Sequence, residues 1–177
     1  ELVEYSQESG LAPAVVTFDR HPKALLDPEN CPRPIIGPTQ KAKLISDAEV
    51  EVLLTLPFTR ELSNLSPLEF IEQVIAPLGA QMFFVGAGLR FGVSGSGTVA
   101  DLREFGPQFG FRVREVANVE IGGRKISSTD LREILDSGKV EVTSLLLGRN
   151  HLVTGVVEHG RKLGRTLGFP TANIARD

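Results

Sequence analysis

Three hydroxyl residues stand in a row at Ser127, Ser128 and Thr129, and Arg132 follows them by one helical turn. In "ISSTDLREIL" they open a stretch in which Leu131, Ile134 and Leu135 recur at helical spacing. They therefore fall where the first backbone N–H groups of a helix lack partners. A phosphate placed there gains backbone donors, hydroxyl donors and the positive end of the helix dipole, which contributes ~0.3–1 kcal/mol per charge. Arg132 can add a two-pronged guanidinium contact to the same anion. An ordinary N-cap with a solvated arginine uses the same residues, and spacing alone does not choose between the two.

Other polar residues stand at the ends of apolar runs. "TFDRHP" (17–22) places Asp19 and His21 directly after a strand-like run, where they suit a site or cap a turn before Pro22. "VGAGLRFGVSGSG" (85–97) carries Gly86, Gly88, Gly92, Gly95 and Gly97 after another such run. The spacing is neither the G-x-G-x-x-G of dinucleotide binding nor the G-x-S-x-G of a hydrolase elbow, which argues against an NAD-dependent oxidoreductase. Towards the end of the chain, Gly155, Gly160, Gly164 and Gly168 precede Pro170, Thr171 and Asn173. Glycine lets backbone approach a ligand closely, and Thr and Asn offer hard oxygens suited to phosphate and Mg²⁺. Arg161, Lys162 and Arg165 add positive charge; a plain basic tail would have the same composition. "GVVEHGRK" (155–162) is a near miss to a phosphate-binding loop, but its lysine register fails and no Ser or Thr follows.

The elements that would position these residues follow from hydrophobic periodicity. "AVVTF" (14–18), "EVLLTL" (51–56) and "QMFFVG" (81–86) read as strands covered on both faces, and "FRVREVA" (111–117) as a fourth with alternation. Between the second and third, Ser66 is an N-cap candidate, Pro67 fits the first helical position and Glu69 completes a capping box. Leu68, Ile71, Ile75 and Leu78 form the predicted inward stripe of that helix. A third helix is expected over "KVEVTSLLLG", closed by Gly148. Strand–helix–strand order with short connections predicts an α/β fold with a doubly wound parallel sheet and right-handed crossovers. "HLVTGVVEHG" instead alternates like a strand of an antiparallel sheet.

Composition bounds the function. The 177 residues are 41% hydrophobic and 23% charged, with a formal net charge of −3, which gives no global footprint for nucleic acid. Apolar runs are far shorter than the ~20 residues of a membrane span, so neither nucleic acid nor membrane is expected as a partner. No signal-peptide pattern is visible, and a cytoplasmic protein is expected. Cys31 is the single cysteine, which excludes an internal disulfide and a cysteine-rich zinc site. From Gly148 onward five Lys/Arg stand against two Asp/Glu, a change of sign that places a module boundary between 1–147 and 148–177. The first residue is Glu1, not Met, which reads as a trimmed N-terminus.

Taken in order, these pieces resemble the bacterial bifunctional riboflavin kinase/FMN adenylyltransferase family, also called FAD synthetases. "VVTFDRHP" is similar to the family's TFD-x-HP segment, "FTRELSNLSPLEFI" to its F-T-x-E-L…S-P-x-x-F stretch, and "ISSTDLRE" to its I-S-S-T-x-x-R helix start. "VGAGLRFGVSGSGT" is similar to its glycine loop, and "TGVVEHGRKLGRTLGFPTANI" to the opening of its riboflavin kinase module. The resemblance implies a Rossmann-like nucleotidyltransferase domain over 1–147. Over 148–177 it implies the first strand and loop of a β-barrel kinase module. It also implies two ATP- and Mg²⁺-dependent steps: riboflavin to FMN, and FMN to FAD with release of pyrophosphate. Ser127, Ser128, Thr129 and Arg132 would hold ATP phosphates in the adenylyltransferase. Asp19, His21, Gly86, Gly88 and Phe91 would border the flavin. Gly160 and Gly164 would lie over the kinase nucleotide, with Thr171 and Asn173 binding Mg²⁺ and phosphate.

The chain also departs from that pattern. The family's G-x-F-D-G-x-H-x-G-H strand, with its phosphate-contacting histidines, does not occur, and the kinase's catalytic carboxylate is expected beyond Asp177. The resemblance therefore implies a chain incomplete at both ends that carries neither whole activity. Gly88 and Leu89 stand where the family has Asn or Asp and an aromatic, Arg20 where it has proline, and His151 where it has an aromatic. A non-catalytic nucleotide- or flavin-binding module is the alternative reading.

Overall fold

Near-continuous apolar runs become strands at the expected places in the computed structural model, which describes residues 1–160, 163–169 and 171–176. In chain order the elements are α1 (Leu2–Ser9), β1 (Ala14–Phe18), α2 (Lys23–Leu26), α3 (Pro38–Asp47), β2 (Val52–Leu56), α4 (Arg60–Asn64) and α5 (Pro67–Phe70). There follow β3 (Met82–Gly86), α6 (Val99–Phe105), β4 (Arg112–Val116), β5 (Glu120–Ile121) and β6 (Arg124–Lys125). The last are α7 (Ser128–Asp136), α8 (Val140–Leu147), β7 (Gly155–Glu158), α9 (Leu163–Thr166) and β8 (Asn173–Arg176). Among the described residues the strands pair two by two: β1 with β2, β3 with β4, β5 with β6 and β7 with β8. The result is a mixed α/β fold with small parallel sheets, and no described helix is long and apolar enough to cross a membrane.

The chain divides into two compact units, each with its own packing. The first comprises Glu1–Leu2, Thr17–Cys31 and Thr55–Ile126. Here β3 and β4 run parallel with Met82 opposite Arg112 and Gly86 opposite Val116. Strand alternation divides their side chains. Phe83, Val85 and Val113 pack against a buried cluster of Ile71, Ile75, Phe91, Leu102 and Phe111, whereas the Phe84 ring lies 5.7 Å beneath the Arg114 guanidinium. Phe83 and Phe111 meet edge to face at 4.9 Å, the arrangement their ring quadrupoles favour.

The capping box read at Ser66 is present. The Glu69 N–H donates to Ser66 Oγ at 3.3 Å, and the Ser66 N–H to Glu69 Oε2 at 2.8 Å. The helix then widens over Ile71–Ile75 and tightens over Ala76–Leu78, where Pro77 has no N–H to continue a regular ladder. Ile71 is fully buried as expected, but Leu68 is 39% exposed.

The second unit comprises Val3–Val16, Pro32–Leu54 and Ser127–Asp177. Leu131 is its buried apolar residue from α7, and α7 packs on α8. Ser6, Gln40 and Thr143 are buried polar residues here; Thr143 Oγ1 donates to the Lys139 carbonyl one turn back. Gly148 closes α8 with φ +64°, the left-handed turn expected of it. β7 and β8 are antiparallel, Gly155 opposite Arg176 and Glu158 opposite Asn173. Their apolar side chains Val156, Val157 and Ile174 are exposed.

Candidate functional site

The start of α7 carries the first group of candidate residues. Ser127 is its N-cap in extended backbone, and Ser128 and Thr129 are its first two residues, both exposed. Ser127 Oγ accepts from the Asp130 N–H at 3.1 Å and donates to the Asp130 carboxylate at 2.6 Å. The helix end therefore already carries an anion of its own, and a phosphate must share it with Asp130. The spacing S-x-x-D signals such a cap, and it realises the N-cap that the sequence left open, with Asp130 as its partner. Half-buried Arg132 donates through Nε to the Arg33 carbonyl at 2.8 Å. Ser127 and Arg132 thus have structural partners, while the exposed hydroxyls are those of Ser128 and Thr129.

Asp19 ends β1 as a clasp between two loops. Its N–H donates to the Leu56 carbonyl at 3.0 Å. Its carboxylate accepts the Phe58 N–H at 2.9 Å and the Arg20 guanidinium at 2.9 Å. The Arg20 hydrogen bond, followed by that from Phe58, holds the Asp19 carboxyl below the usual carboxylate range, and Asp19 raises Arg20 in return. Phe18 and Phe58 meet edge to face at 5.1 Å beside the clasp. His21 Nδ1 accepts the Lys23 N–H at 3.1 Å, so the neutral ring carries its proton on Nε2. Phe58 is the partner that sequence reasoning missed; it lies 39 residues from Asp19 and no local pattern joins them.

The glycine loop has two halves with different surroundings. Gly86 and Gly88 are exposed, and a Cβ at either would meet nothing within 4 Å. Gly92 and Gly97 are closed by packing: a Cβ at Gly92 would lie 3.0 Å from the Pro67 nitrogen, and one at Gly97 2.8 Å from the Phe91 ring. Phe91 is buried against Phe70 and pairs with Gly97 through both backbone hydrogen bonds. The Val93 N–H donates to the Leu65 carbonyl at 2.7 Å, which ties the loop to the start of α5. The backbone is therefore open to solvent at Gly86 and Gly88, whereas Phe91 is spent on the core.

The pairing of β7 with β8 brings the last group together in two pairs. A Cβ on Gly160 would overlap the side-chain amide of Asn173, and one on Gly164 would overlap the Phe169 carbonyl and lie 3.2 Å from Thr171 Oγ1. Arg161, Lys162 and Pro170 lie outside the described residues, as does the side chain of Arg165. Among the described residues no group of three or more His, Cys, Asp or Glu gathers as a metal site. Asn173 and Thr171 each carry a hard oxygen of the type Mg²⁺ accepts.

Comparison with known proteins adds two regions of similarity. Residues 1–130 match the family described as FAD synthetase, and 147–177 the family described as riboflavin kinase. The chain is 32% identical over 176 residues to a bifunctional riboflavin kinase/FMN adenylyltransferase of Buchnera aphidicola, covering 98% of this chain and 56% of that one. It is 35% identical over 173 residues to the protein of that description in Bacillus subtilis, covering 97% and 54%. A crystal structure from Streptococcus pneumoniae, described as a macrolide-efflux protein, superimposes with a TM-score of 0.82 at 30% identity, over 98% of this chain and 57% of that one. The chain spans about half the length of the curated relatives it matches.

Proposed function

The chain belongs to the FAD synthetase family, and on that premise we propose that its residues 1–147 serve an FMN adenylyltransferase and its residues 148–177 a riboflavin kinase module. A phosphate oxygen of FMN attacks the α-phosphorus of ATP. The new P–O bond forms as the bond to the β-phosphate oxygen breaks, giving FAD and pyrophosphate. No covalent enzyme intermediate is needed, so the protein's contribution is positioning and charge stabilisation. The observation that carries this reading is the start of α7: exposed Ser128 and Thr129 hydroxyls on a nine-residue helix, with Arg132 one turn on. In this role Ser127 and Asp130 shape the helix end, and Ser128, Thr129 and Arg132 meet the ATP phosphates. Gly86 and Gly88 leave the space in which the flavin lies; Asp19 and His21 fix the loop beside it and Phe91 supports it from below. The small parallel pairs are read as parts of one doubly wound sheet.

In the kinase module, β7 and β8 would open a barrel, with Gly160 and Gly164 over the nucleotide. Asn173 Oδ1 and Thr171 Oγ1 would hold Mg²⁺, which when bound neutralises phosphate charge and orients the transferred group. Riboflavin is its substrate and FMN its product. The second reading, a binding module without turnover, is favoured by one observation: the Asp130 carboxylate already occupies the end of α7.

Kinetics in the full-length protein decide between them. Ser128→Ala and Arg132→Ala should each raise the ATP KM or lower kcat for FAD formation by about tenfold, the loss of a charge-assisted hydrogen bond. Unchanged kinetics would refute the phosphate role. ATP and FMN binding by calorimetry without FAD formation would establish the binding module.

A further inference from the structure

Two side chains of the second unit, one on α7 and one just after α8, converge on one short piece of backbone. Arg132 Nε donates to the Arg33 carbonyl at 2.8 Å, and His151 Nε2 lies 3.1 Å from the Ile35 carbonyl. A carbonyl oxygen can only accept, so His151 carries a proton on Nε2. The piece between the two contacts is stiff for a covalent reason. Pro32 and Pro34 fix their own φ and push Cys31 and Arg33 towards extended backbone, seen at Cys31 with φ −69° and ψ 121°. Backbone outside helix and sheet has no ladder to satisfy its carbonyls, and residues 31–37 lie in neither. These two take their donors from side chains 99 and 116 residues further along.

We propose that His151 is a positioning residue for the start of α7. It holds residues 33–35 at one carbonyl, and the strap so fixed sets the guanidinium of Arg132 at the other. The inference rests on the reading of Arg132 as an ATP-phosphate residue, and His151 itself need not touch ATP. Arg132 offers five N–H donors in one rigid plane. Holding its Nε determines which way the remaining donors face. His151 is anchored from its own side as well, its N–H lying 3.4 Å from Ser144 Oγ on α8. His151 lies in the region that matches riboflavin kinase, whereas Arg132 stands on the helix assigned to the adenylyltransferase. The strap therefore carries the position of the chain just after α8 to the arginine of α7.

The test reads the strap and the ligand separately. In ¹⁵N NMR of the protein, the Arg132 Nε–H resonance, assigned by its loss in Arg132→Ala, should shift and exchange with solvent faster in His151→Ala. His151→Gln, which keeps a donor, should restore it. By calorimetry, ATP affinity should fall about three- to tenfold in His151→Ala and recover in His151→Gln. Amide dispersion like that of the parent protein shows that each variant is folded; should His151→Ala unfold, His151→Phe replaces it as the variant without a donor. An Arg132 Nε–H unmoved by removal of the His151 donor overturns the proposal. ATP affinity unchanged by Arg132→Ala overturns the phosphate reading instead. ATP affinity lowered by Arg132→Ala but untouched by His151→Ala also overturns the proposal.

Discussion

Glycine does the same geometric work in two regions of this molecule and serves two different ends. In the loop after β3, Gly92 and Gly97 let the backbone close onto Pro67 and the Phe91 ring, and the loop seals an apolar core. Between β7 and β8, Gly160 and Gly164 let the backbone close onto Asn173 and Thr171, and the apolar residues nearby face solvent: Phe169 is 78% exposed and Val156 74%. Close approach onto a ring yields packing energy. Close approach onto an amide and a hydroxyl yields a polar cradle and little stability of its own. The comparison separates a region that closes onto the apolar core from one that closes onto polar side chains beside exposed apolar residues.

The largest effect that could break this comparison is core truncation. Phe111, 2% exposed, fills the space between Phe83 and the backbone of Gly106. Phe111→Ala should destabilise by about 3–5 kcal/mol in urea unfolding, whereas Phe169→Ala should change stability by less than about 0.5 kcal/mol. Equal losses would show that the hairpin contributes a core after all. Next in size are the glycines themselves. Gly97→Ala forces a methyl into the Phe91 ring and should cost about 1–3 kcal/mol, read by the same unfolding curve. Gly160→Ala displaces only the side-chain amide of Asn173, not backbone. It should leave stability within about 0.5 kcal/mol while lowering riboflavin phosphorylation in the full-length protein on the order of 10²-fold. A stability loss without a kinetic one would reverse the assignment.

The smallest expected effect concerns Asp19. Hydrogen bonds from Arg20 and Phe58 depress its carboxyl in the folded protein. A depressed acid contributes stability above its unfolded pKa and loses that contribution as pH falls through the folded one. The Phe58 amide resonance should therefore hold steady at neutral pH and shift only below about pH 4, and Asp19→Asn should abolish the shift. A Phe58 amide that titrates near pH 6 would place another group in the clasp.

The parts of the fold that were legible in advance share one property: both partners lie within a few residues of each other. The Ser66–Glu69 capping box, Pro67 at the first helical turn, the Gly148 cap and the four principal strands all follow from local spacing. The N-cap at Ser127, left open beside the phosphate reading, is equally local: S-x-x-D is a short-range signature, and Asp130 is its partner. Leu68 was expected in the inward stripe, and the first turn of the helix leaves it 39% exposed. Gly92 and Gly97 looked like Gly86 and Gly88 in sequence. What differs is the ring or proline that each backbone approaches, and spacing carries no record of that.

The sequence by itself determined the family, the α/β elements and the residue types at each candidate site, because these rest on short-range pattern and covalent geometry. Only the tertiary structure decided which of those residues are already engaged. Phe91 turned inward, Asp19 joined Phe58, Arg132 took the Arg33 carbonyl, and His151 took that of Ile35. Each of these depends on a carbonyl, a ring or an amide brought close by folding from as far as 116 residues away. A hydrogen bond forms only within ~3 Å, and that distance is set by the packed chain rather than by any neighbour in sequence.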